Sequence, residues 1–311
     1  MGFTQLDSGI ESRLICIVLW TLFHCSLMFF CKHVFVKIYA SWDRITCDGE
    51  YLGFFPAMFC YQLVILPLLL ISIFASGEPR DSSWWLGRLS PENGVNSAAV
   101  VLCGQIGYSS KDFFFKNAIA EGDIAMWLHH FASILLLLGP LSSTAANPGS
   151  MAVGVGCLEV GSCMWNVLCV AVAFDLKKAL VYIRPIFFFS MMLSNVAALV
   201  VLGATWGVEE RKHYGVIEYL ITILTSALVV IRTTNAIKID PTLAAEAFGT
   251  LVCNGKGKAD ISKINKHPTL PLGLSERWQF VVLSFIACMI VTGASIFTEV
   301  LIGTSTSAEL A

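Results

Sequence analysis

Charge is what this chain is shortest of: Asp, Glu, Lys and Arg together make up only 14% of its 311 residues. A soluble globule of that length needs more polar surface to coat it. With 56% hydrophobic residues and a mean hydropathy of +0.73, the composition indicates an integral membrane protein. Also missing are CxxC pairs, N-x-[ST] glycosylation acceptors, internal repeats and low-complexity blocks. Nine of the 11 cysteines (Cys16, Cys25, Cys31, Cys60, Cys103, Cys157, Cys163, Cys169, Cys288) fall in apolar segments. Without paired motifs they read as small core residues, leaving only Cys47 and Cys253 in loops. The lack of an internal repeat argues against a transporter built from symmetric halves. Six histidines without an HxxHH box do not suit a di-iron desaturase, and two adjacent histidines cannot sandwich a haem. No metal, resident cofactor or nucleic acid is expected. The net charge of −2 says little by itself, because in membrane proteins the distribution of Lys and Arg carries the information.

What is present is a series of apolar runs. A helix needs roughly 20 residues to cross about 30 Å of hydrocarbon. Eight runs qualify or come close: 14–31, 52–75, 97–115, 124–141, 151–174, 179–206, 214–231 and 278–302, the fourth and seventh being short. Backbone in lipid must satisfy its own hydrogen bonds, so each is read as a helix. The first lacks a following Ala-x-Ala-like cleavage site and follows acidic Asp7 and Glu11, so it is expected to be retained. The expected fold is therefore all-α, a polytopic bundle around an intramembrane polar cavity. Its parts are a tail over 1–13, a membrane domain over 14–238, a basic loop over 239–276 and a last helix with its tail over 277–311. A possible homodimer fits this class of protein.

Alternate loops differ sharply in basic charge. One set holds Lys32, Lys37, Arg44, Lys111, Lys116, Lys177, Lys178, Arg184, Arg232, Lys238, Lys256, Lys258, Lys263, Lys266 and Arg277, and the other only Arg13, Arg80, Arg88, Arg211 and Lys212. Fifteen against five places the first set in the cytosol and both termini on the opposite side. The longest cytosolic loop, about 236–276, contains Asp240-Pro241, which suits a helix start. Its lysines are either a solvated tether or a contact to anionic headgroups.

The polar residues inside the runs are ordered. Gln105, Tyr108, Ser109 and Asp112 recur at helical spacing on one face of the third run. Glu159, Ser162, Cys163 and Asn166 do the same in the fifth, and the fourth carries His129, His130 and Ser133 between them. His24 in the first run and Arg184 at the start of the sixth add two more groups. Bland readings exist for several. Serines glue helices at roughly 0.6 kcal/mol per contact, His24 suits a hydrogen-bonded core position, Arg184 could snorkel to the interface, and Asp112 lies near an expected cytosolic end. Glu159 is harder to dismiss, because a charge well inside a span costs about 2.5–3.5 kcal/mol on insertion scales. Two histidines, two carboxylates and an amide on consecutive helices point to a shared polar cavity.

These residues also carry a family resemblance. GYSSKDFFF (107–115), WLHHFASILLLLG (127–139), LEVGSCMWN (158–166) and LFHCSL (22–27), in that setting, resemble the TLC-domain family, which includes the ceramide synthases. The resemblance covers about 14–238 and implies a helical bundle around a membrane-embedded tunnel, usually in the endoplasmic reticulum. In catalytic members the counterparts of His129 and His130 serve transfer of an acyl chain from acyl-CoA. Ceramide synthases follow their His pair with closely spaced aspartates in the next helix, whereas this chain offers Glu159 and Asn166 and no Asp before Asp175. It is closer to the non-ceramide-synthase branch.

The residues support a matching chemistry. A neutral imidazole in a poorly solvated pocket can attack a thioester or act as general base on a lipid amine or hydroxyl. Neighbouring helical residues point about 100° apart, so one histidine should face the cavity and the other brace it. The i, i+4 relation to Ser133 favours His129 as the reactive ring. Asp112, the catalytic candidate, or Glu159 would orient the ring and stabilise its cationic form, and Glu159, Asn166, Tyr108, Ser133, Arg184 and His24 would line the substrate path. Lipids and acyl-CoA are the expected partners, with Lys111, Lys116, Lys177, Lys178 and Arg184 on the side where CoA phosphates arrive. A non-catalytic lipid-binding, trafficking or membrane-composition protein would use the same pocket. The topology is testable directly: a tag inserted near Gly255 should be digested by protease added outside sealed microsomes, and protection of the tag would overturn the assignment.

Overall fold

A computed structural model of the protein describes residues 8–46, 49–75, 96–119, 124–142, 148–206, 216–239 and 284–298. Among these residues every element is helical except an isolated bridge between Ile45 and Tyr51. Eight helices account for the eight apolar runs. They are α1 (Ser8–Phe30), α2 (Leu52–Ala75), α3 (Ser97–Ser110), α4 (Ile124–Ser142), α5 (Pro148–Ala173), α6 (Lys177–Trp206), α7 (Val216–Ile239) and α8 (Ser284–Thr298). Of these, α2, α5, α6 and the Gly9–Ile38 stretch begun by α1 are long and apolar enough to cross a membrane. Helices α4, α7 and α8 contain shorter apolar stretches. Their outer faces suit lipid: Leu14, Ile15, Val18, Leu19 and Leu22 on α1 and Val181, Phe189 and Leu193 on α6 are exposed.

The centre of the bundle is α3. Asn96 caps it by accepting from the Ala99 N–H at 2.7 Å. From Ala98 to Ser109 nearly every residue is buried, because α1, α2, α4 and α5 all pack on it. Gly107 permits the closest of these contacts: a Cβ there would lie 2.8 Å from the Thr21 backbone nitrogen and the Trp20 carbonyl carbon of α1. Helix α2 is irregular where it faces α3. Pro67 has no N–H and its ring crowds the carbonyl one turn earlier, and the chain responds with a π-helical turn over Cys60–Ile65. That turn directs both Tyr61 and Gln62, adjacent in sequence, into the interior.

Helices α5 and α6 form the most extensive pair and are joined by a short turn. Asp175 takes a left-handed conformation there (φ 51°). The Leu176 N–H reaches the Ala171 carbonyl at 2.9 Å and the Asp175 N–H the Val172 carbonyl at 3.0 Å, a Schellman ending.

Contacts between helix ends respect an alternating arrangement. Arg13 donates to the Leu141 carbonyl at the end of α4 (2.7 Å). Arg44, after α1, covers the Phe174 ring after α5 at 4.3 Å, and the Tyr51 N–H reaches the Asn117 carbonyl after α3 at 2.8 Å. Each joins ends that alternation puts on one side.

Several sequence boundaries need correction. Helix α1 starts at Ser8, so the expected tail over 1–13 is partly helical and its Arg13 is buried. Helix α7 runs past the expected end at residue 231 to Ile239, which brings Arg232 inside the bundle and not into a cytosolic loop. Lys111, also assigned to a loop, is 1% exposed. Removing both from the first set, and the buried Arg13 from the second, leaves thirteen basic residues against four, and the bias stands. Most of the 239–276 loop, with its expected helix from Pro241, lies outside the described residues. Gly107→Ala should destabilise the protein by about 1–3 kcal/mol, since the obstructing atoms are backbone; unfolding in mixed micelles measures this, and wild-type stability would contradict the α1–α3 contact.

Candidate functional site

Two polar clusters lie side by side around α3. The first is centred on Glu159 of α5. Its Oε2 accepts from Gln62 Nε2 at 2.7 Å and its Oε1 from Gln105 Nε2 at 2.8 Å. The carbonyl ends of both amides are used as well: Asn166 Nδ2 donates to Gln62 Oε1 at 2.9 Å, and the buried Tyr61 hydroxyl donates to Gln105 Oε1 at 2.8 Å. This bonding fixes the orientation of both amides, since a flip would turn a carbonyl toward the carboxylate. Five side chains from α2, α3 and α5 thus satisfy one another. The π-helical turn makes this possible by bringing Tyr61 and Gln62 inward together.

The second cluster is ionic and follows α3. Lys111 and Asp112, in a 3-10 turn over Lys111–Phe113, are 1% and 2% exposed. Lys111 Nζ pairs with Asp112 Oδ1 at 2.8 Å and stands 3.7 Å above the centre of the Tyr108 ring. The other carboxylate oxygen, Oδ2, lies 3.0 Å from Nδ1 of His130 on α4. A ring N–H on Nδ1 is not aligned along that line, so the contact is close in distance and weak as a directional hydrogen bond. The His130 side chain remains 18% exposed.

The ring that meets the carboxylate is therefore His130, whereas the i, i+4 relation to Ser133 had favoured His129. Their ring centres are 5.4 Å apart and their planes nearly perpendicular, as neighbouring positions on one helix require. His129 points away from Asp112 and lies within electrostatic range of Arg232 on α7. Ser133 is half-buried one turn on.

Aromatic rings link the clusters. Tyr61 and Tyr108 stack at 4.3 Å, and His24 of α1 meets them edge-on at 4.9 and 5.6 Å. Trp20 and Phe23 complete the surroundings of His24, which is 1% exposed and hydrogen-bonded to the Gly104 backbone. Its Nε2 has no partner among the described residues. The bland reading, a core histidine, describes this placement well.

The structure thus brings together Asp112, His130, Tyr108 and His24, and separately Glu159 and Asn166. Arg184 sits half-buried near the start of α6. Asp112 is buried, as the cavity reading expected and unlike the bland reading of an exposed residue at a membrane edge, but it meets His130 and Lys111 and not Glu159. The sequence reading did not single out Gln62 or Tyr61, and it placed Lys111 on the side where CoA phosphates arrive, not against Asp112. A lone amide in an otherwise apolar second run was the available signal for Gln62, and the Lys-Asp neighbour pair was the signal for Lys111.

No protein-family model, curated protein sequence or solved structure matches the chain.

The Glu159 cluster yields a test of its own. Glu159→Gln puts an amide NH2 against one of two NH2 donors, so one bond is lost and two donors face each other. A loss of about 1–3 kcal/mol is expected, and Gln105→Ala should add little further in the Glu159→Gln background. Strict additivity of the two changes in unfolding experiments would show that the residues are not coupled.

Proposed function

We propose that the protein is a lipid-modifying membrane enzyme of the TLC-like kind, transferring an acyl chain from acyl-CoA to a lipid amine or hydroxyl, with His130 as general base. The observation that carries this reading is the buried Asp112 carboxylate 3.0 Å from Nδ1 of a histidine that is still partly accessible. A carboxylate beside Nδ1 favours the tautomer with its proton there, which leaves Nε2 unprotonated and able to accept one.

The reaction follows from that arrangement. As the acceptor amine or hydroxyl attacks the thioester carbonyl, His130 Nε2 takes its proton. The C–S bond then breaks, and the imidazolium returns the proton to the departing thiolate. Asp112 lowers the cost of the transient positive charge on the ring, and Lys111, 2.8 Å from its Oδ1, is the counter-ion that holds the carboxylate in place. His129 holds the adjacent position and acts on the electrostatics of the pair. An endoplasmic reticulum membrane is the setting this reading implies, with lipids and acyl-CoA as partners.

One observation favours a second reading, a non-catalytic lipid-binding or membrane-composition protein. Lys111 alone already neutralises Asp112, so the pair would be stable without a reactive histidine. Turnover decides between them. In liposomes supplied with long-chain acyl-CoA and a panel of amine and hydroxyl lipids, His130→Ala and Asp112→Asn should each lower acyl transfer, the former by about 10²–10⁴-fold, with His129→Ala less damaging. Transfer by folded His130→Ala at the wild-type rate would remove His130 as the base. Absence of transfer by wild-type protein across the panel would favour the binding reading.

A further inference from the structure

Two thiols meet where α1 crosses α3, and they take part in neither polar cluster. Cys16 lies on the α1 face that packs against α3, one turn on from the buried Arg13 and one turn before Trp20. Cys103 of α3 points back at that face, where its Sγ donates to the Arg13 carbonyl at 3.7 Å. The two side chains meet thiol to thiol, and both thiols are free. A disulfide spans about 4.4–6.8 Å between Cα atoms, so it can join two helices only where they pack closely. Helices α1 and α3 do so one turn further along, where a Cβ at Gly107 would lie 2.8 Å from the Thr21 backbone nitrogen.

The two thiols differ in access. Cys103 is fully buried, whereas Cys16 keeps part of its surface. An oxidant from outside therefore meets Cys16 first, and Cys103 is placed to react only with the oxidised Cys16 sulfur. The surface around Cys16 is apolar, with Ile15 and Leu19 exposed beside it. That surface excludes a charged oxidant such as glutathione disulfide and admits a small neutral hydroperoxide.

We propose that Cys16 and Cys103 are a membrane-embedded dithiol that a hydroperoxide converts to a reversible disulfide between α1 and α3. The Cys16 sulfur attacks the terminal oxygen of the hydroperoxide. The O–O bond breaks and the thiol proton passes to the departing oxygen, giving a sulfenic acid and water or an alcohol. The Cys103 sulfur then attacks Cys16 Sγ, the S–O bond breaks, and the hydroxide leaves with the Cys103 proton as water. Two thiols are oxidised and one peroxide bond is reduced. The product fixes α1, which carries His24, to α3, which carries Tyr108, and it does not depend on acyl transfer at His130.

The test titrates the full-length protein in mild detergent with hydrogen peroxide, up to the dose that oxidises the exposed Cys288. Thiols and cross-links are then mapped by mass spectrometry after digestion without reduction. Wild-type protein should yield a peptide pair joined through Cys16 and Cys103, and dithiothreitol should abolish it. In Cys103→Ser the sulfenic acid at Cys16 has no resolving partner and should be trapped by dimedone. In Cys16→Ser, Cys103 should stay unmodified over the same range. Both thiols remaining free in the wild type at the dose that oxidises Cys288 overturns the proposal, as does pairing of either with a different cysteine. Oxidation of Cys103 in folded Cys16→Ser overturns it as well. Since the readout needs neither lipid nor CoA, an inactive transferase assay would bear on His130 and leave this result standing.

Discussion

A carboxylate drawn into an apolar bundle needs donors from the protein itself, and the interior of this bundle is arranged around two of them, Asp112 fully buried and Glu159 partly so. Glu159 is held by neutral amides from two other helices. Asp112 is held by a neighbouring lysine and approached by a histidine. The two solutions have different consequences. Neutral amides spread the charge over a rigid, fully bonded network that fixes how α2, α3 and α5 sit against one another. An ion pair neutralises the charge locally and leaves the second carboxylate oxygen available for His130, which is itself partly accessible.

Both solutions depend on α3 being at the centre. Its small residues let α1 approach until only Gly fits at position 107. The 3-10 turn that ends it places Lys111 and Asp112 beneath the surface at the level of α4. On the opposite side, Pro67 disturbs α2 just enough for two consecutive polar side chains to face inward. An ideal α-helix would direct one of Tyr61 and Gln62 toward lipid, where an unpaired amide is costly. The local irregularity of the backbone is therefore what allows the Glu159 network to close.

Much of the architecture was legible in the chain, because hydrophobic runs of membrane length have few alternatives to helix. The run over 52–75 was located to the residue, and the polar faces containing Asp112 and Glu159 turned inward as their spacing indicated. What could not be read was three-dimensional. Adjacent histidines look equivalent in sequence, and only the placement of α4 against the end of α3 selects His130 to meet Asp112. Basic residues near the ends of apolar runs resemble loop residues, which reads Lys111 and Arg232 as cytosolic, although Lys111 is buried in a 3-10 turn and a longer α7 turns Arg232 against α5. Gln62 escaped notice because its significance arises from partners far away in sequence.

The orientation of the Glu159 network also bears on how this sequence can vary. From both ends, Tyr61 and Asn166, every donor points toward the carboxylate, so the network has a polarity that no single member can reverse. An aspartate at 166 would set a carboxylate against the Gln62 carbonyl; turning that amide to relieve the clash would set its carbonyl against Glu159. A change on one turn of α5 is thereby felt on α2 and, through the carboxylate, on α3. Positions 61, 62, 105, 159 and 166 are consequently bound to drift together or not at all, and relatives that differ at one of them should carry a compensating difference at another.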